Sequence, residues 1–331
     1  MNFPFKSGRR QLLALTLAMG AAGAGMPAAF AQDWPSRAVT LVVPFPPGGP
    51  TDTASRIVGE ELSKRLGQPV VVENRAGASG QIAASYVKRA KPDGYTLMML
   101  ATPTMMAPLL YPAAQYDAAK DFAPVATVYD LPIVVVVNPQ VLDVATLQDV
   151  IAKAKAEKGA LNYTSSGVGS FGHMTMERLK QMGDFDMVHI PYAGGTPAIT
   201  DLLGGQVPMM YADLVAALPH IQAGKLRAIA VGSPERVSVL PDVPTIAEQG
   251  FPGFEAVSWG GLLAPANSPQ QSIERVSKEV EGILQDADVQ KRLLAAGAIA
   301  HYEPPQDMAK RIANDLQVWG QVVRDNEIRP N

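Results

Sequence analysis

Apolar and polar positions follow two rhythms along this chain, and the rhythm changes at turn residues. Val39–Val43 is a β-branched run of the kind that forms strands. It enters the Pro/Gly loop 44–50. Beyond the loop, Ala54, Ile57, Val58, Leu62 and Leu66 recur at helical spacing, with Thr51 and Asp52 where helix N-caps stand. Gly67-Gln68-Pro69 stops that helix. Residues 70–73 read as a second strand, 74–80 as a loop and 81–89 as a helix. Pro92-Asp93-Gly94 is a turn, and 95–100 a third strand. These strands are apolar on both faces, as a sheet covered by helices on both sides requires.

Two further strand-like runs, 123–128 and 133–138, flank Tyr129-Asp130-Leu131-Pro132, which we read as a crossing into a second lobe. There the rhythm repeats: helix 146–156, strand 161–165, helix 171–182, strand 187–190, helix 197–203, strand 207–211, helix 214–222 and strand 226–231. Gly204-Gly205 and Gly224 sit where helix C-caps belong. A strand signal at 254–263 leads into three helical stretches, 269–285, 287–296 and 305–325. The last carries Met308, Ile312, Leu316, Trp319 and Val323 on one face and is expected to pack back on the first lobe. The expected fold class is α/β with two lobes, each a mostly parallel sheet flanked by helices, joined by two crossings. Residues 32–130 form the first part of lobe 1, 131–254 form lobe 2, and 255–331 return to lobe 1 with the C-terminal helices.

Residues 1–31 read as a secretory leader instead of fold. Lys6, Arg9 and Arg10 precede an apolar core, 12–26, and Ala29-Phe30-Ala31 is a small-x-small cleavage site that would start the mature chain at Gln32. The core is interrupted by Gly20, Gly23 and Gly25 and is too short to span a membrane. The stretch Gly8-Arg9-Arg10-Gln11-Leu12-Leu13 leaves a twin-arginine route open beside the general one. The whole chain has 331 residues, 28 basic and 31 acidic, for a formal net charge of −3. The leader takes basic residues and no acidic ones, so the remainder is more acidic still. Neither nucleic acid nor an anionic membrane surface is an expected partner. With no cysteine, an exported protein of this size relies on its core.

The chemistry suggested by the sequence lies in its strand-to-helix loops. In loop one, residues 44–52, a strand turns through Gly48 and Gly49 into a helix N-terminus, where free backbone N–H groups and the helix dipole attract anions. Its candidate ligand contacts are Phe45, Pro47, Gly48, Gly49, Thr51 and Asp52. The loop lacks the Lys-Ser/Thr of a Walker A loop and the spacing of GxGxxG, so one carboxylate fits it better than a nucleotide. Loop two repeats the device with Ser165, Ser166, Gly167, Gly169 and Ser170. A plain tight turn, with Ser170 as N-cap, is the structural alternative. Thr102 and Asp213 stand at carboxyl ends of strands, where open α/β sheets bind ligands. Arg75 to Gly80 forms a third such loop, with a surface charge as the alternative reading of Arg75. His173, His189, His220 and His301 show no metal-ligand spacing, and His173 suits packing or capping. Neither metal nor cofactor is expected. There is no G-x-S-x-G elbow, which leaves an exported hydrolase using Ser166 or Ser170 as a minor alternative.

These stretches resemble a known family, the Bug-type receptors, which are the periplasmic substrate-binding proteins of tripartite tricarboxylate transporters. The resemblance is carried by Trp34-Pro35, LVVPFPPGGPTD (41–52), LGQPVVVENRAGASG (66–80), KPDGYTL (91–97), YDAAKDFAPV (116–125), LNYTSSGVGSFGHM (161–174), VHIPYAGGTPAITDLLGGQV (188–207), AGKLRAIAV (223–231) and LPDVPTIAEQGFPGFE (240–255). It implies a two-lobed periplasmic binding protein of the Venus-flytrap kind, monomeric and without enzymatic activity. Such a receptor delivers a small organic carboxylate, such as a dicarboxylate or an aromatic acid, to membrane transporter subunits. A sensor subunit that presents its ligand to a membrane kinase is the alternative. The resemblance further implies that loops one and two hold the ligand. Ala76 stands where many relatives have proline, and Ala193 where many have lysine.

Overall fold

The strand-and-helix rhythm becomes two β-sheets in a computed structural model that describes Met1 and residues 34–158 and 160–330. The expected leader beyond Met1, its cleavage site at Ala29-Phe30-Ala31 and the expected start at Gln32 lie outside the described residues. The chain divides into Met1–Ser36 and a larger compact unit, Arg37–Asn331, which holds both sheets. That unit begins with β1 (Val39–Val43), α1 (Pro50–Leu66), β2 (Val70–Asn74), α2 (Gln81–Lys88), β3 (Thr96–Ala101), α3 (Thr102–Leu110) and β4 (Phe122–Leu131). It continues with β5 (Ile133–Val137), α4 (Leu147–Ala156), β6 (Asn162–Ser165), α5 (Phe171–Gly183), β7 (Val188–Pro191), α6 (Gly195–Leu203), β8 (Met209–Asp213), α7 (Leu214–Gln222) and β9 (Arg227–Val231). It ends with β10 (Ser258–Pro265), α8 (Gln270–Leu284), α9 (Ala287–Ala295), β11 (Ile299–Glu303) and α10 (Pro305–Asp325).

Sheet one has the strand order β11-β4-β10-β3-β1-β2, and sheet two the order β7-β6-β8-β5-β9. The expected parallel character holds among β1, β2 and β3, and among β6, β7 and β8. It fails for the strands next to the crossings, so both sheets are mixed. β10 runs antiparallel to β3 and β4, β11 to β4, and β5 to β8 and β9. The reason is the connection. Only Pro132 separates β4 from β5, so the chain passes from one sheet into the other with no helical crossover to restore the parallel direction. It returns between β9 and β10.

Local chemistry explains the element ends. Pro50 opens α1 at a position whose N–H needs no partner, and Gly67 closes it in the left-handed conformation, φ 68°. Thr146 and Asp149 form a capping box at α4: the threonine hydroxyl accepts the Asp149 N–H at 3.1 Å, and the aspartate accepts the Thr146 N–H at 2.9 Å. β5 is buried over its whole length, as a β-branched central strand should be. α10 buries Met308, Ile312, Trp319, Val322 and Val323, each large apolar side chain contributing about 1.5–3 kcal/mol.

Two elements are absent from the sequence reading. α3 contains Pro103 and Pro108, which argue against a helix. Pro103 falls in the first turn, where it is tolerated, and burial of Met105, Met106 and Ala107 holds the rest. β11 is a short half-buried edge strand that depends on β4: Thr127 Oγ1 donates to Glu303 at 2.6 Å, and His301 Nδ1 lies 2.6 Å from Asp130.

Candidate functional site between the two sheets

Two adjoining cavities lie between elements of the two sheets. Cavity one, about 310 Å³, is walled by α3 residues such as Thr102, Met106 and Leu110 on one side, and by Ser166 to Ser170 of loop two with Tyr211 on the other. Cavity two, about 590 Å³, is walled by loop one, Ala101 and Leu131, and opposite them by Leu214, Val215 and Ala216 at the start of α7. Pro103, Asp213 and Ser258 belong to both, so the two form one cleft. Among the described residues, no Lys, Arg or His lines either.

Loop two is built as a donor surface. Gly167 and Gly169 have φ 136° and 75°, conformations open to glycine, and Ser170 caps α5 by accepting the His173 N–H at 3.3 Å. Inside the loop, the Gly167 N–H binds Ser165 Oγ at 3.2 Å, and the Gly169 N–H binds His173 Nδ1 at 3.1 Å. Among the described residues, the N–H groups of Ser166, Val168, Phe171 and Gly172 and the exposed Ser166 hydroxyl have no partner, and all four residues line cavity one. Gly172 brings the helix start hard against β8, where an added methyl would fall 2.6 Å from the Tyr211 carbonyl oxygen.

Loop one is arranged differently from the expectation. Phe45, Pro47, Gly49 and Thr51 line cavity two, but Gly48 and Asp52 line neither cavity. Asp52 is buried and already bound. It accepts from the Gly48 N–H at 2.9 Å, Arg56 Nε at 3.0 Å and Asn74 Nδ2 at 2.7 Å. Burial pushes its carboxyl up, yet the hydrogen bonds from Arg56, Asn74 and Gly48 outweigh this and hold it below the usual carboxylate range. The N-terminus of α1 thus carries an anion of its own. Thr51 Oγ1 accepts from the Tyr129 hydroxyl at 3.0 Å.

The remaining sequence candidates divide in the same way. Ser165 is fully buried and lines neither cavity. Thr102 lines cavity one, but its hydroxyl exchanges hydrogen bonds with the Trp259 backbone, accepting at 2.8 Å and donating at 3.2 Å, and so fixes β10. Asp213 stands where the cavities meet. Solvent reaches it there, yet protein surrounds it closely enough to raise its carboxyl above the usual range. From loop three only Ser79 reaches the cleft, because Arg75 is paired with Glu73 at 2.6 Å and stacked 3.6 Å from the Tyr86 ring.

Sequence reasoning missed Ser258, Val215 and Gly297. Gly297 closes α9 in a left-handed turn, φ 83°, and packs so tightly that an added methyl would lie 1.8 Å from Val215 Cγ2. A similar close approach brings Gly169 of loop two against Leu110 and Pro330.

A strand-turn-helix donor surface facing a cleft between two mixed sheets is a binding architecture, and comparison with known proteins supplies its family. The model of the tripartite tricarboxylate transporter family receptor matches residues 54–328. The chain belongs to this family. BugT of Bordetella pertussis (strain Tohama I) is 36% identical over 318 residues, 96% of this chain and 97% of BugT. A Rhodopseudomonas palustris protein solved with adipate is 36% identical with a TM-score of 0.74, the match covering 90% of this chain and 100% of that one. MatC from Rhodopseudomonas palustris, solved with bound malate, is 35% identical with a TM-score of 0.70, covering 88% and 100%.

Ser165 Oγ lies 2.7 Å from His189 Nε2, but Ser165 is fully buried and lines neither cavity. Ser166 and Ser170, which do reach this receptor's cleft, touch no imidazole among the described residues. Among the described residues, no cluster of acids and histidines could hold a metal ion, and no helix is long and apolar enough to cross a membrane.

Proposed function

We propose that this chain is an extracytoplasmic solute receptor that works as a monomer in the periplasm. It captures a small organic carboxylate in the cleft, with the carboxylate on loop two, and hands it to the membrane subunits of a tripartite tricarboxylate-type transporter without chemical change. The observation that carries this reading is the set of donors at the N-terminus of α5 that are unengaged among the described residues, in a cavity that none of their basic side chains lines. A hydrogen bond to a charged group contributes roughly 1.5–3 kcal/mol, and a helix terminus adds about 0.3–1 kcal/mol. A few of these reach the roughly 8 kcal/mol of micromolar binding. The relatives solved with adipate and malate support the ligand class.

The test is calorimetric titration with a panel of mono- and dicarboxylates, on the parent and on Ser166→Ala. At least one acid should bind, and the variant should bind it about ten-fold or more weakly. If no acid in the panel binds, the receptor reading fails. An unchanged affinity in Ser166→Ala would take that hydroxyl out of the site.

A further inference from the structure

Asp213 is the feature of the cleft that a simple carboxylate receptor leaves unexplained. It directly precedes α7, the position where an aspartate normally accepts N–H groups of the following helix, yet its side chain makes no capping bond. Among the described residues it has neither a hydrogen-bond donor nor a cationic partner, and it lines both cavities at their junction. Any ligand long enough to pass from loop two into cavity two runs alongside it. Beyond it the walls are Phe45, Pro46, Pro47, Leu131, Leu214 and Val215, an apolar surface. A second ligand carboxylate would therefore meet a like charge at the junction and, among the described residues, no basic residue beyond it. The N-terminus of α1 gives it little relief, since the Asp52 carboxylate already sits there.

Resting on the receptor reading above, we infer that Asp213 selects a zwitterionic acid: one carboxylate on loop two, a cationic nitrogen on Asp213 and an apolar remainder in cavity two. A ligand ammonium would supply the partner that the protein withholds from this carboxyl, a charge-assisted contact. A dicarboxylate of similar length makes the first contact and loses the other two.

The experiment uses two matched pairs, phenylalanine with 3-phenylpropionate and leucine with 4-methylpentanoate, with adipate as the dicarboxylate. Each is titrated calorimetrically into the parent and into Asp213→Asn, whose fold is checked by circular dichroism and thermal melting. In the parent, at least one amino acid should bind about ten-fold or more tightly than its nitrogen-free partner, with adipate weaker than that amino acid. In Asp213→Asn the preference should fall to within about three-fold and adipate should gain. If the nitrogen-free acids or adipate bind the parent as tightly as the amino acids, or if Asp213→Asn keeps the preference, the inference is wrong while the receptor reading stands. If none of the five acids binds the parent, the inference falls, while the receptor reading is decided by the wider panel above.

Discussion

At the residue scale, His173 and His189 show how loop two keeps its shape. Their rings stack 3.8 Å apart behind the loop, and Tyr163 stacks on His189 at 4.9 Å. His173 Nδ1 must stay unprotonated to accept the Gly169 N–H. Burial lowers both imidazoles from 6.5 to about 4, helped by Lys180 at His173 and by His173 at His189. The unfolded chain takes up these protons first. Their stabilisation is therefore complete above pH 6.5 and is lost as the pH falls towards 4, on the order of a few kcal/mol in all. Thermal melts should show Tm falling across that window, and His173→Gln, which keeps an acceptor without a titrating ring, should flatten the fall. Equal slopes for parent and variant would show that His173 does not titrate there. The sequence marks His173 as a packing or capping residue, but it does not reveal the pairing with His189, because the stacked rings come from different elements.

At the scale of elements, α5 is positioned by one glycine. Gly172→Ala would put a methyl against the Tyr211 carbonyl, and such overpacking typically costs about 1–3 kcal/mol. We expect urea unfolding to report that loss and calorimetry a weaker carboxylate affinity, because the same shift moves the donors of loop two. Unchanged stability would mean that β8 yields instead. Helices framed by their own punctuation are legible in the sequence: α1 between Pro50 and Gly67, α10 behind Pro304-Pro305. α3 is not, since its prolines mislead and only burial holds it. The mixed sheets are not legible either, because β10 finds its neighbours β3 and β4 far back in the chain. In the site, Ser166 to Ser170 of loop two do line cavity one, where the sequence pattern put a cleft-facing turn. Loop one misleads at Asp52, whose partners include Asn74 from the next strand. Arg56, one helical turn after Asp52, was the available sign that this carboxylate is spoken for.

At the scale of the whole molecule, the base of the β4–β5 crossing is firmly held. Asp130 is bound by Arg311 of α10 at 2.8 Å and by His301 of β11 at 2.6 Å. Away from that base, each cavity has a wall where a glycine meets a side chain from across the cleft: Gly169 against Leu110, and Gly297 against Val215. Gly297→Ala should hold the lobes apart. We expect small-angle scattering of the ligand-saturated variant to show a larger radius of gyration, and titration a weaker affinity, with Val215→Ala in the same chain recovering part of both. A ligand-bound variant as compact as the parent would show that the contact does not limit closure. The same two glycine contacts bear on timing. Where walls interlock this closely around a bound solute, exchange at loop two waits on their parting. Capture then speeds up with solute concentration only until it meets the protein's own rate of opening. Above that point a richer medium fills the receptor no faster, and bound cargo leaves no sooner than the next parting of the walls.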